Sequence, residues 1–184
     1  VAPRFAELID RFLYRPDEAV GPWLELAPEV DVSALPRIAE VPEEFLAFVL
    51  EGETYAVPIA AVREILRVPE VTEIPRAKRN LLGLINVRGE MLPLYDVKVR
   101  LHLAPEPPVV RSAKDVGRGA RVVLLKDPEG DAGVLVDSVA GVVKLPLSSL
   151  EEAPHLGAER NAIAGIGRLD GRLYILLDVE QALT

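Results

Sequence analysis

Gly89-Glu90-Met91-Leu92-Pro93-Leu94-Tyr95-Asp96-Val97 and Gly171-Arg172-Leu173-Tyr174-Ile175-Leu176-Leu177-Asp178-Val179 decide how this chain is read. Each opens on a turn glycine, runs through mainly apolar residues, and closes on Asp-Val. The turns themselves are Arg88-Gly89 and Asp170-Gly171. Asp-Gly is a strong hairpin signal, because a type I′ turn needs positive φ at both central positions. Upstream, Gly52 through Tyr55, Val57 and Val62 has a counterpart in Gly130 through Gly133, Leu135 and Val139. Each half therefore carries a strand, a turn, a strand, a short irregular piece and a later hairpin. Internal repetition predicts a duplicated small barrel, each copy too small to be comfortable alone.

Outward from these stretches the punctuation is dense, with 16 prolines and 13 glycines interrupting any long helical pattern. Short runs rich in Val, Leu and Ile lie between: Phe45 to Leu50, Leu81 to Val87, Arg121 to Leu125, Gly133 to Val136 and Leu173 to Leu177. Strands at such spacing predict an all-β fold built as barrels or a sandwich. We expect two packed five-stranded barrels, the first over about residues 45–103 and the second over about 120–178, with the chain free to cross between them at the ends. The seam between barrels is then a natural binding groove. Pro105 to Gly119, with three prolines and two glycines, reads as a loop between the halves. Val62-Arg63-Glu64-Ile65-Leu66 reads as a short helical loop.

Residues 1–42 differ from the rest. Phe5, Leu8, Ile9, Phe12 and Leu13 fall on one stripe at helical spacing, and Pro16 should stop that helix. A proline-rich linker follows, and Trp23 with Leu24 and Leu26 needs something to pack on. Docking on the β domain explains the stripe more simply than a detachable partner-binding arm.

Chemistry is sparse. The 184 residues contain no cysteine, which excludes disulfides and thiolate metal sites and suits a reducing compartment. A net charge of −8 argues against a nucleic-acid partner. No apolar run reaches the ~20 residues of a membrane span, and the N-terminus lacks a signal-peptide pattern. His102, at the end of an apolar strand, and His155, in a loop, have no neighbour at metal-ligand spacing. Gly165-Ile166-Gly167 and Gly117-Arg118-Gly119 do not extend to a nucleotide-binding motif. Asp96 and Asp178 occupy equivalent repeat positions, which favours strand-end capping over an acid–base pair. No catalytic, cofactor or metal residue is expected. Glu64 and Arg88, charges set among apolar strands, are read either as one surface ion pair or as a pair that shapes a docking surface.

The stretch from Gly83 through Asn86, Arg88, Gly89 and Pro93 to Asp96 closely resembles the signature of the CheW family. Tyr55 to Ile59, Val62 to Ile65 and Ile74-Pro75 resemble that family's first barrel, and Val134 to Val139, Val142-Val143, Leu145-Pro146 and Gly165 to Asp178 its second. The resemblance covers residues 43–183 and leaves 1–42 outside. It implies two SH3-like five-stranded barrels with minor helical turns. It also implies a non-enzymatic scaffold that couples chemoreceptors to the histidine kinase CheA in a bacterial chemosensory array. The implied partners are the CheA regulatory domain, itself CheW-like, and the cytoplasmic tip of methyl-accepting chemoreceptors. The implied location is the cytoplasm at receptor arrays, without membrane insertion. By motif position Glu64 and Arg88 match the family's acid–arginine pair. Val62 and Gly83 match partner-binding positions, with Ile65 and Asn86 beside them in the same stretches. Val142 and Val143 fall where the second barrel helps form the receptor groove. Three alternatives stay open: a CheW-like adaptor for polar localisation or motility-system assembly through its N-terminal segment, a CheW-like fragment of a larger kinase or of a coupling protein fused to a receiver domain, and a small-molecule enzyme in the inter-barrel groove, for which no residue predicts turnover.

Overall fold

The computed structural model describes residues 41–128, 130–152 and 162–183. The helix expected before Pro16, Trp23 and His155 lie outside the described residues. Twelve strands are described. The first half holds β1 (Glu43–Leu50), β2 (Glu53–Pro58), β3 (Val62–Arg67), β4 (Val71–Thr72), β5 (Leu81–Val87) and β6 (Glu90–Tyr95), then helix α1 (Val97–Arg100). The second half repeats the order with β7 (Arg121–Leu125), β8 (Ala132–Val136), β9 (Ser138–Leu145), β10 (Leu150–Glu152), β11 (Ile163–Leu169) and β12 (Arg172–Leu177), then α2 (Val179–Leu183). Ile59–Ala61 and Leu147–Ser149 form single 3-10 turns.

The two sheets are not the two halves. One runs β10-β11-β12-β2-β1-β9 and the other β3-β7-β8-β6-β5-β4. Each half thus donates its first hairpin to the other half's sheet, a reciprocal exchange between the ranges 45–103 and 120–178. The exchange is symmetric in register. β2 lies parallel to β12 with Ala56 opposite Leu176, and β8 lies parallel to β6 with Gly133 opposite Leu94. Each sheet contains five strands of five or more residues and a sixth of only two or three, β4 or β10. This register also corrects the repeat alignment by one residue. Tyr55, opposite Phe48, matches Ala132, opposite Leu125, so Val57 matches Val134 and not Leu135. The slip comes from matching Gly52 with Gly130, since Phe48 and Tyr55 are as far apart in sequence as Leu125 and Ala132.

The exchange explains the near-continuous apolar strands. Leu46, Phe48 and Leu50 of β1 enter a central core with Val123 and Leu125 of β7, while Phe45 and Ala47 point the other way into one barrel. Val122 and Leu124 of β7 point into the other barrel beside Ile85 and Leu94. Side chains alternate across a strand, so a strand buried on both faces must be apolar at every position. The seam expected to form a groove is therefore filled by this central core. Open volume lies beside the parallel junctions: about 520 Å³ lined by Pro93, Tyr95, Ala132 and Leu183, and about 360 Å³ lined by Tyr55, Ile175, Arg100 and Leu101.

The ends of β6 and β12 are alike. Asp96 Oδ1 accepts from Lys98 N at 2.8 Å and Asp178 Oδ1 from Gln181 N at 3.1 Å, each capping the helix that follows. His102 does not end a strand; it sits in the turn after α1 with φ of 57°.

Candidate partner-binding surface

Val62-Arg63-Glu64-Ile65-Leu66-Arg67 forms strand β3, not a helical loop. Val62, Ile65 and Leu66 have helical spacing, but Ile65 faces outward with 41% of its surface exposed. Pairing with β7 skips Arg63, which bulges between Val62 and Glu64. Val62, Glu64 and Leu66 are half-buried, while Arg63, Ile65 and Arg67 are exposed.

The tip of the β5–β6 hairpin is the second component. Arg88 and Gly89 both have positive φ, 55° and 90°, as a type I′ turn requires. Asn86 Oδ1 accepts from Gly89 N at 2.9 Å and holds the turn. From it Arg88 Nη2 reaches Glu64 Oε2 at 2.8 Å. The arginine side chain is 79% exposed and the glutamate 19%, so the pair presents a cation outward over a shielded carboxylate. Beside it Arg63 Nη1 bonds Glu90 Oε2 at 3.1 Å and also bonds Asp131 Oδ2. Hydrogen bonds donated to Asp131 and then Glu90 hold the Arg63 proton more firmly than in free arginine. These three residues went unnoticed in the sequence. The signal for Arg63 was the outward phase of β3, which the helical reading of that stretch concealed.

Of the eight residues singled out in the sequence, Glu64, Ile65, Asn86 and Arg88 lie on β3 or the β5–β6 hairpin around this ion pair. Val62, on β3, packs partly against the central core. Gly83 lies on β5 at the β4 edge. Its φ is 151°, and a β-carbon there would collide with the Thr72 carbonyl oxygen and stand 2.8 Å from Val71 Cγ1. Val142 and Val143 are on β9 in the other sheet. Val142 is 55% exposed, whereas Val143 packs against a core containing Phe45.

The repeat register sharpens this picture. Val139 opposite Phe48 matches Val62 opposite Leu125, so Gly141 stands where the first half has Glu64, and Val142 where it has Ile65. Asp170 takes the place of Arg88. The fold is duplicated but its acid–arginine pair is not, while an exposed aliphatic residue is kept on both copies.

Among the described residues, no group of three or more His, Cys, Asp or Glu side chains could hold a metal ion. No helix among them is long and apolar enough to cross a membrane.

A family model described as the CheW-like domain matches residues 44–184. The chemotaxis protein CheW of Rhizobium meliloti is 31% identical over 140 residues, covering 74% of this chain and 84% of that protein. Protein PilI of Pseudomonas aeruginosa is 28% identical over 107 residues, 58% of this chain and 56% of that protein. In fold, the crystal structure of the scaffolding protein TtCheW from Thermoanaerobacter tengcongensis superposes with a TM-score of 0.66 at 24% identity, over 75% of this chain and 90% of that one. With the family model spanning both sheets and the barrel pair matching, the chain belongs to the CheW family.

Proposed function

We propose that this protein is a cytoplasmic scaffold that couples chemoreceptors to the histidine kinase CheA, and that the face around Glu64 and Arg88 meets the CheA regulatory domain. The observation that carries this reading is the single-copy ion pair at the hairpin tip, beside exposed Ile65. A duplicated fold that keeps one such pair has one orienting face, and an arginine held by a hydrogen bond to a shielded carboxylate supplies direction as well as charge. Ile65 adds an apolar contact, and Glu64 with Arg88 sets the register, since charged groups at an interface chiefly govern specificity.

On the second sheet, Val142 is the exposed aliphatic residue on the edge strand β9, and we assign it to the chemoreceptor tip. The shared central core suits a coupling role, because each barrel contains a hairpin from the other half of the chain. A scaffold of this kind makes and breaks no covalent bonds. It holds kinase against receptor so that a receptor's preference between two states biases the kinase's own population.

Calorimetric titration into the CheA regulatory domain tests the proposal. Binding near 1 μM, about −8 kcal/mol, is expected for the full chain and for a chain lacking residues 1–40. Absence of binding overturns the kinase contact. Binding that disappears with residues 1–40 favours the adaptor whose N-terminal segment selects its partner.

A further inference from the structure

A second surface lies on the opposite edge of the same sheet. The β4–β5 loop and the Pro105 to Gly119 connection enclose a cavity of about 280 Å³. Its floor is apolar, with Ile74, Leu82 and Pro107 half-buried and Val109 74% exposed. The connection is fixed there, since Val71 N donates to Arg111 O at 2.9 Å and Val110 is buried in the barrel core.

The rim is basic. Arg76, Lys78, Arg79 and Arg111 all border the cavity and all are exposed. Arg79 lies 3.8 Å from Glu106, while Arg76 and Lys78 make no ion pair among the described residues. Glu73 is the carboxylate on the rim itself, and nearby Asp115 is engaged by the backbone N–H groups of Arg111 and Ser112. Four cations thus gather around one apolar cavity on a chain of net charge −8.

Arg76 adds an independent observation. Ile74, Pro75, Arg76 and Ala77 form a turn closed by Ala77 N on Ile74 O, with proline at its second position and Arg76 at φ of 61° in its third. That is the pattern of a type II turn, whose third position favours glycine or asparagine. Arginine takes that conformation at modest cost, as Arg88 and Asp170 do in their turns, and the closed turn fixes where the Arg76 side chain leaves the backbone.

We propose that this cavity docks an acidic peptide segment of a partner protein, with one apolar side chain on the floor and carboxylates on the rim. Charge complementarity selects the occupant. An extended polyanion such as nucleic acid would be repelled by the remainder of an acidic protein, whereas a short peptide spans only the basic rim. The rim cations are exposed to solvent, so affinity is modest and salt-sensitive. The inference is independent of the kinase contact, which uses other residues.

The test is fluorescence anisotropy with a labelled peptide of glutamates flanking a Trp-Leu pair, and with its all-glutamine analogue, on the full chain. We expect the acidic peptide to bind, high salt to release it, and the glutamine analogue not to bind. Arg76→Gly should weaken binding by about threefold, the scale of one exposed ion pair. It should melt no lower than the parent, because glycine relieves the turn. Lys78→Ser, at an exposed side chain, provides the same readout if Arg76→Gly is less stable. Equal binding of the glutamine peptide, or parental affinity in both variants, overturns the proposal. Binding to phosphatidylserine vesicles with none to the peptide overturns it in favour of a lipid headgroup.

Discussion

Replacing Gly83 with alanine should destabilise this protein rather than selectively detach a partner. Two costs add at that position. The added β-carbon would collide with the Thr72 carbonyl oxygen and crowd Val71 Cγ1 at 2.8 Å, and backbone cannot withdraw as the end of a flexible side chain can. Overpacking of this kind costs about 1–3 kcal/mol. The φ of 151° adds strain of about 1–3 kcal/mol for a residue with a side chain. Together they predict a loss of about 2–6 kcal/mol, a large share of the 5–15 kcal/mol typical of a native domain. Its counterpart Gly165 offers an internal control. A β-carbon there would stand 2.6 Å from the Glu151 carbonyl oxygen, without the positive φ. Gly165→Ala should therefore lose less than Gly83→Ala. Urea titration followed by circular dichroism measures both, with a fall in midpoint at unchanged slope marking a stability loss. A Gly83→Ala protein with the parental midpoint that no longer binds its partner would refute the reasoning and make Gly83 a contact residue.

Arg88→Glu should leave stability within about 1 kcal/mol, since the arginine is largely exposed, yet weaken binding to the CheA regulatory domain. The exchanged pair Glu64→Arg with Arg88→Glu should recover part of that binding in calorimetry, and no recovery would mean that the partner reads the individual charges. Asp96 is fully buried, its Oδ2 has no hydrogen-bond partner, and burial raises the affinity of its carboxyl for a proton. The folded state therefore binds that proton more tightly than the unfolded chain. The group's contribution is most favourable below its unfolded value of about 3.9 and declines as pH rises through the raised folded value. Asp96→Asn should keep the cap and flatten that decline in urea midpoints measured between about pH 4 and pH 7, whereas a decline as steep as the parent's would rule the carboxyl out as its source. Phe48→Ala, in the central core, should cost about 3–5 kcal/mol and broaden or split neither barrel's transition in calorimetry, because both sheets share that core.

Much of the fold is written locally. Leu81–Val87 and Arg121–Leu125 are strands with the bounds their apolar runs suggested, because turns or loop residues bracket them. Arg88-Gly89 and Asp170-Gly171 adopt positive φ as hairpin turns demand. The exchange of hairpins is not written that way. Tyr55 meets Ile175 across 120 residues, and no local period encodes which of two similar sheets a hairpin joins. Strand β3 was hidden for a different reason. An outward-facing aliphatic residue, Ile65, broke the alternation that marks a strand, and that exposure is also what makes it a candidate contact. The Glu64–Arg88 pair was legible as two charges among apolar strands, but the network of Arg63 with Glu90 and Asp131 depends on how two strands and a loop from three parts of the chain converge.

Exchanged hairpins also set a timetable for synthesis. As the nascent chain leaves the ribosome, β1 and β2 emerge as an apolar ribbon whose outer neighbours, β9 and β12, lie about a hundred residues downstream. At about 5–20 residues per second, that ribbon waits on the order of 5–20 s before its edges can be covered. During this interval Phe45 to Leu50 presents the kind of bare strand edge that recruits other chains. Production of this protein should therefore depend on holdase chaperones more than its modest size suggests, and slowing translation should lower its soluble yield.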